Sequence, residues 1–237
     1  MKKVFIDGSA GTTGLRIFDR LHRRTDIQLL TLPESERKLE ASRKKMLNEA
    51  DVVFLCLPDD AACEAALWVE NPDTVVLDTS TAHRTAPGWC YGFPELSPVQ
   101  EARLRQAKRI AVPGCHASGF IALVYPLVSA GLLTPDALLS CYSLTGYSGG
   151  GKKMIAEYRA PERSFLLNAP RQYALGQTHK HLKEMKAVTG LANEPVFCPV
   201  VADFYSGMQV TVPLFASWLA PGAGMGDVKN AYRTLYT

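Results

Sequence analysis

Short apolar runs rich in β-branched residues alternate with helical-period stretches along the first half of the chain, and this alternation predicts a βαβ start. Residues 4–6 read as a buried strand, 12–23 as an amphipathic helix with Leu15, Phe18 and Leu21 inward, and 27–32 as a second strand. Residues 52–57, 75–77 and 109–112 continue as short strands, with helical intervals over 61–69 and 97–106. Strands separated by helices in this way pair side by side, so the pattern predicts an α/β fold with a doubly wound parallel sheet. Beyond Cys115 the texture changes. A helix over 117–130, strands over 139–144, 196–202 and 208–218, and a helix over 227–236 predict a second, α+β domain. The expected division is 1–114 and 115–237.

Composition narrows the class. A length of 237 residues with 47% hydrophobic content is enough for a sizeable core. The formal net charge of +3 comes from scattered basic residues, which fits small anionic ligands no better than nothing in particular and does not argue for nucleic acid; no nucleic-acid partner is expected. Six cysteines, Cys56, Cys63, Cys90, Cys115, Cys141 and Cys198, show neither metal-ligand spacing nor the density of a disulfide scaffold. No metal is therefore expected, and a reducing cytoplasm is the expected location. Met1-Lys2-Lys3 leads directly into a strand without the apolar region of a signal peptide, and no apolar stretch approaches membrane-spanning length.

Two segments point to chemistry. After the first strand, Gly8-Ser9-Ala10-Gly11-Thr12-Thr13-Gly14 is a glycine-rich turn that opens a helix. Such a turn lets the backbone approach a pyrophosphate while the helix presents its amides and positive dipole end. Strand two ends Leu30-Thr31-Leu32-Pro33 without an acid for a ribose hydroxyl, and Arg37 and Lys38 follow, which favours NADP over NAD. The second segment, Val112-Pro113-Gly114-Cys115, delivers a thiol from an apolar strand to a helix start, where thiolate is favoured. A free thiol of pKa about 8.5 is only a few per cent ionised at neutral pH, and lowering it by about two units takes about 2.7 kcal/mol. A neighbouring imidazole can supply part of that, from His179 or His181. His181 and Glu184, three apart, share a helix face, so the carboxylate can orient the ring. His116 is a rival base, although adjacent side chains point apart. Arg84, in Asp78-Thr79-Ser80-Thr81-Ala82-His83-Arg84, suits a bidentate phosphate contact. Ser148, Gly149 and Lys152, in a glycine-rich loop that opens another helix, suit a cofactor or phosphate at close range; the loop lacks Walker A spacing.

In this order the motifs resemble the N-acetyl-γ-glutamyl-phosphate reductase family of semialdehyde dehydrogenases, and most closely its shorter-chain branch. Residues 8–14 look like the family's NADP loop, and Asp78 to Arg84 is similar to its Asp-x-Ser-x-x-x-Arg segment. Tyr91-Gly92-Phe93-Pro94-Glu95 matches Tyr-Gly-x-Pro-Glu, Pro113-Gly114-Cys115 carries the nucleophile, Ser148-Gly149-Gly150-Gly151 resembles the Ser-Gly-x-Gly turn, and His179-x-His181-x-x-Glu184 resembles its His-x-His-x-x-Glu element. Lys183 stands where the family has proline. The resemblance implies a Rossmann-like NADP(H) domain and a catalytic, substrate and dimerisation domain that stops short of the family's closing segment. It implies reduction of an acyl phosphate in arginine biosynthesis by Cys115 with His181 or His179, phosphate or substrate contacts from Arg84, Lys152 and Glu184, and a homodimer or homotetramer. An aspartate-semialdehyde or aminoadipate-type dehydrogenase, and a non-catalytic nucleotide-binding module, are the alternative expectations.

Overall fold

The computed structural model describes residues 1–236, which form two compact units. The first comprises Met1–Pro94 and Pro98–Pro113, the second Glu95–Ser97 and the chain from Gly114.

The first unit runs β1 (Lys2–Asp7), α1 (Thr12–Leu21), β2 (Ile27–Leu30), α2 (Glu40–Glu49), β3 (Val52–Leu55), α3 (Asp59–Leu67), β4 (Val75–Asp78), β5 (Cys90–Tyr91), α4 (Pro98–Gln106) and β6 (Arg109–Ala111). Its six strands form one sheet in the order β2-β1-β3-β4-β6-β5, paired in parallel throughout. Phe5, Leu47, Ala50, Val53, Leu55, Ala65, Val69 and Val76 make a core that ties β1, β3 and β4 to α2 and α3. Each large apolar side chain buried there contributes roughly 1.5–3 kcal/mol. This is the doubly wound sheet that the alternation predicts.

Local departures have identifiable causes. Leu15 is exposed, because Gly14 is the buried position of α1 and Ile17, Phe18 and Leu21 follow it at helical spacing. Helix α2 escapes pattern reading because Leu47 is its one buried residue. Strand β5 is two residues long and carries no period.

The second unit runs α5 (Cys115–Ser129), β7 (Ser140–Gly146), α6 (Gly151–Arg159), β8 (Arg171–Gln172), α7 (His181–Thr189), β9 (Val196–Ala202), β10 (Met208–Thr211) and α8 (Met225–Leu235). Its sheet, ordered β10-β7-β9-β8, is mixed: β7 and β9 are parallel, and the two edge pairings are antiparallel. Helix α5 packs against α7, α8 and β10. At β10 its approach is close, since a Cβ on Gly119 would fall 2.4 Å from Val210 Cγ2. Helix α8 docks through Tyr232 Oη and Tyr236 Oη, which donate to the Leu123 and Ala122 carbonyls at 2.6 and 2.9 Å. The strand expected over 208–218 stops at Thr211, two residues before Pro213, which has no N–H to give a ladder; Ala216–Trp218 is a 3₁₀ turn. Among the described residues no helix is long and apolar enough to cross a membrane.

Candidate active site

Gly8 turns the chain off β1 with φ +85°, a left-handed conformation that glycine adopts without strain. A Cβ there would lie 2.3 Å from the Cys56 carbonyl oxygen just beyond β3, and one on Gly14 would lie 2.4 Å from the Gly8 oxygen. Gly11 N closes the turn on Gly8 O at 2.9 Å. The loop therefore sits where the sheet order reverses between β1 and β3, the switch point at which α/β sheets open a crevice. A cavity of about 620 Å³ lies there, walled by residues 8–11, Thr31, Leu32, Arg37, Lys38 and Arg43 among others. Side-chain-free backbone, the amide-bearing start of α1 at Thr12 and Thr13, and nearby cations fit a dinucleotide. Arg37 reaches this cavity but is ion-paired with Glu34, which also lines it. Arg43 is a member that sequence reasoning missed. It pairs with buried Asp7 at 2.9 Å and lies over the Trp68 ring. An acid at the end of an apolar strand, needing a cation once buried, was the available signal.

The Asp78 segment is rigidly built. Asp78 is fully buried and accepts from Ser80 N at 2.9 Å and Ser80 Oγ at 2.6 Å. It also meets His83 Nδ1 at 2.6 Å, and the His83 ring stacks on Trp89 at 3.9 Å. Arg84, the expected phosphate ligand, donates from Nε to Val112 O at 3.0 Å and from Nη2 to Thr79 O at 3.3 Å. Its planar fork is thereby oriented by backbone carbonyls.

In the second unit, Gly114 takes an extended conformation (φ −71°, ψ 144°) as the N-cap of α5. Cys115 is consequently the first helical residue, two positions earlier than the apolar period predicts, and it is exposed. Glu184 Oε1 accepts the Gly114 N–H at 2.7 Å. Glu184 is only 2% exposed, and this carboxylate, expected among the ligand contacts, anchors the helix start that presents the thiol.

His116 turns inward and is 4% exposed. Its Nδ1 lies 2.6 Å from Ser143 Oγ and its Nε2 lies 2.9 Å from Tyr173 Oη. Around it stand His179 and His181, with ring centroids 5.8 and 5.5 Å away, and Phe197 at 5.3 Å. Burial first, and the charge of His179 second, push His116 down to about 4, so the ring is neutral at physiological pH. Tyr173 is pushed up to about 12, by burial first and by the charge of Cys115 second.

His179 Nδ1 accepts the His181 backbone N–H at 3.2 Å, capping the start of α7, while the His181 side chain is buried within it. The structure thus gathers His116, His179, His181 and Tyr173 into one cluster, with Glu184 bound to the residue before Cys115. Ser148 and Gly149 lie in a 3₁₀ turn over Tyr147–Gly150, and Lys152 is exposed in the first turn of α6. Ser143 and Tyr173 were missed. Ser143 left a signal, as a hydroxyl on the buried side of β7 between Cys141 and Thr145 needs a partner; Tyr173 left none.

The second unit carries a thiol at a helix start and buried imidazoles, and the first unit a crevice that fits a dinucleotide. Family models agree: the semialdehyde dehydrogenase NAD binding domain matches residues 3–104, and the semialdehyde dehydrogenase dimerisation domain matches residues 115–237. The chain belongs to the semialdehyde dehydrogenase family. Among its curated relatives, an N-acetyl-gamma-glutamyl-phosphate reductase of Rhizobium meliloti (strain 1021) is 46% identical over 231 residues, covering 97% of this chain and 74% of the relative. One of Chelativorans sp. (strain BNC1) is 49% identical over 214 residues, covering 90% of this chain and 68% of the relative. Solved structures show the same fold. Aspartate semialdehyde dehydrogenase II of Vibrio cholerae superposes with a TM-score of 0.71 at 14% identity, covering all of this chain and 80% of the other. The Candida albicans aspartate semialdehyde dehydrogenase with NADP gives 0.65 at 19% identity, covering 98% and 76%.

Proposed function

We propose that this chain reduces N-acetyl-γ-glutamyl phosphate to N-acetylglutamate semialdehyde with NADPH, a step of arginine biosynthesis, through a thioester on Cys115. The observation that carries this reading is an exposed cysteine at the first position of a fifteen-residue helix, its N-cap amide held by Glu184. The dipole of α5 favours the thiolate, which attacks the acyl carbon while the C–O bond to phosphate breaks. Backbone amides at the helix start face the oxygen that gains charge. Arg84 and Lys152 supply positive charge suited to the departing phosphate, Arg84 with its fork already oriented. A bound reduced nicotinamide supplies the hydride that takes the thioester to the aldehyde level. Collapse of the thiohemiacetal then releases the semialdehyde and returns the thiolate, with His181 or His179 exchanging the proton. Residues 8–14, with Arg37, are the chain's means of holding the cofactor, and Ser148 and Gly149 add backbone that can approach it closely. Relatives at 46% and 49% identity that carry the reductase name favour this acyl group over the aspartyl and aminoadipyl alternatives, and favour an enzyme over a non-catalytic module. A homodimer or homotetramer is compatible with the dimerisation-domain match, and a cytoplasmic location with the biosynthetic relatives.

Cys115→Ser should retain NADPH binding by fluorescence titration while losing more than about 1000-fold in kcat, with N-acetylglutamate semialdehyde, NADP and phosphate assayed in the reverse direction. Near-normal turnover by the serine variant would overturn the nucleophile assignment. Faster turnover of aspartate semialdehyde by the unaltered chain would overturn the acyl group.

A further inference from the structure

We propose that Arg43 makes the crevice of the first unit fit for an anionic dinucleotide by cancelling the buried charge of Asp7, and so is a positioning residue that acts through Asp7 rather than a ligand of the phosphates. This rests on the reading of residues 8–14 as the cofactor loop. Asp7 is the last residue of β1 and directly precedes Gly8, where the cradle begins. Its backbone is fixed to the far side of the loop, since Cys56 N donates to Asp7 O at 2.8 Å. The carboxylate lines the crevice and is 4% exposed. A charge of that sign, poorly screened by water, repels a pyrophosphate laid on the adjoining backbone.

Arg43, in the first turn of α2, answers that charge. Its Nε donates to both Asp7 oxygens at 3.2 Å, and its Nη2 donates to Oδ2 at 2.9 Å. Two of the three guanidinium nitrogens are thus committed to Asp7, and the group lies over the Trp68 ring at 4.7 Å. Trp68 is held in turn, as Asn48 Nδ2 donates to its carbonyl at 2.8 Å. A fork seated in this way gives its charge to the pair and not to a ligand. The other acid lining the crevice, Glu34, is matched by Arg37. Lys38 is then the lining cation whose charge no carboxylate offsets among the described residues. Removing Arg43 alone would abolish the excess of positive over negative groups and leave a bare buried carboxylate beside the loop.

The test is fluorescence titration of the full chain with NADPH and with NADH. Arg43→Gln should weaken NADPH binding by about 30-fold and NADH binding by the same factor, because the pyrophosphate is common to both. Arg43→Lys keeps the charge without the fork, and should bind within about threefold of wild type. The double variant of Arg43→Gln with Asp7→Asn, which removes both charges, should also return to within about threefold. Asp7→Asn alone frees the charge of Arg43 and should bind NADPH at least about threefold more tightly; this variant decides the matter if Arg43→Gln does not fold. A double variant as weak as Arg43→Gln would overturn the proposal, as would a loss confined to NADPH, since either makes Arg43 a direct ligand. Failure of Arg43→Lys to rescue, or unchanged or weaker binding by Asp7→Asn, would overturn it too. Absence of NADPH binding by the unaltered chain would instead remove the reading of residues 8–14 as the cofactor loop, and the proposal with it.

Discussion

Replacing Glu184 should unseat the helix that carries Cys115. The carboxylate is 2% exposed and accepts the buried Gly114 N–H at 2.7 Å, joining α7 to the start of α5 across 70 residues of chain. A hydrogen bond to a charged partner contributes about 1.5–3 kcal/mol, and a buried amide left without its acceptor costs about 1–3 kcal/mol. These describe one bond from two sides, so Glu184→Ala, which also leaves a cavity, should cost about 3 kcal/mol. Glu184→Gln keeps the volume and an acceptor oxygen, and loses only the charge assistance, about 1 kcal/mol. At roughly 4 °C per kcal/mol for a unit of this size, calorimetry of the full chain should show Tm falling by about 12 °C and about 4 °C. Catalysis should fall further than binding. Displacing the helix start by about 1 Å moves the thiol out of attack geometry, so kcat for Glu184→Ala, measured well below its Tm, should drop about 100-fold with KM little changed. Identical melting of the two variants would refute the anchoring role. Loss of stability with kcat intact would refute the link to Cys115.

Two other outcomes follow from the geometry. Gly8→Ala should weaken NADPH binding by at least about 100-fold in a fluorescence titration, because its Cβ would meet the Cys56 oxygen at 2.3 Å. Gly88→Ala, at a similar φ of +82° with open space around it, should cost only about 1–2 kcal/mol of backbone strain and bind as wild type; equal binding losses in both would reject the cradle. His116 titrates at about 4 in the fold against 6.5 as a free side chain, so between these values the unfolded chain takes up a proton that the fold excludes. Its contribution is therefore present above about pH 6.5 and is lost as pH falls toward 4, on the order of 3 kcal/mol in all. The drop in urea midpoint from about pH 7.5 to about pH 4.5 should shrink in His116→Gln, and an unchanged drop would contradict it.

The sequence by itself determined the features that depend on neighbouring residues. The β-branched runs and helical intervals specify strands and helices in an order that only a parallel sheet accommodates, and the glycines at 8 and 14 specify a turn in which no side chain fits. Pro113-Gly114 ends a strand and opens a helix, so Cys115 was legible as a thiol at a helix start. What surrounds that thiol belongs to the tertiary structure. Burial of Gly14 turned Leu15 outward, and Pro213 cut short a strand whose composition runs on. Glu184 reaches back 70 residues to Gly114, and His116 finds Ser143 and Tyr173 at distances of 27 and 57 residues. Such pairings depend on the register of β7 against β9 and on the packing of α5 against α7, which no local pattern encodes. A buried polar group announces in sequence that it needs a partner; only the packed fold decides which one it finds.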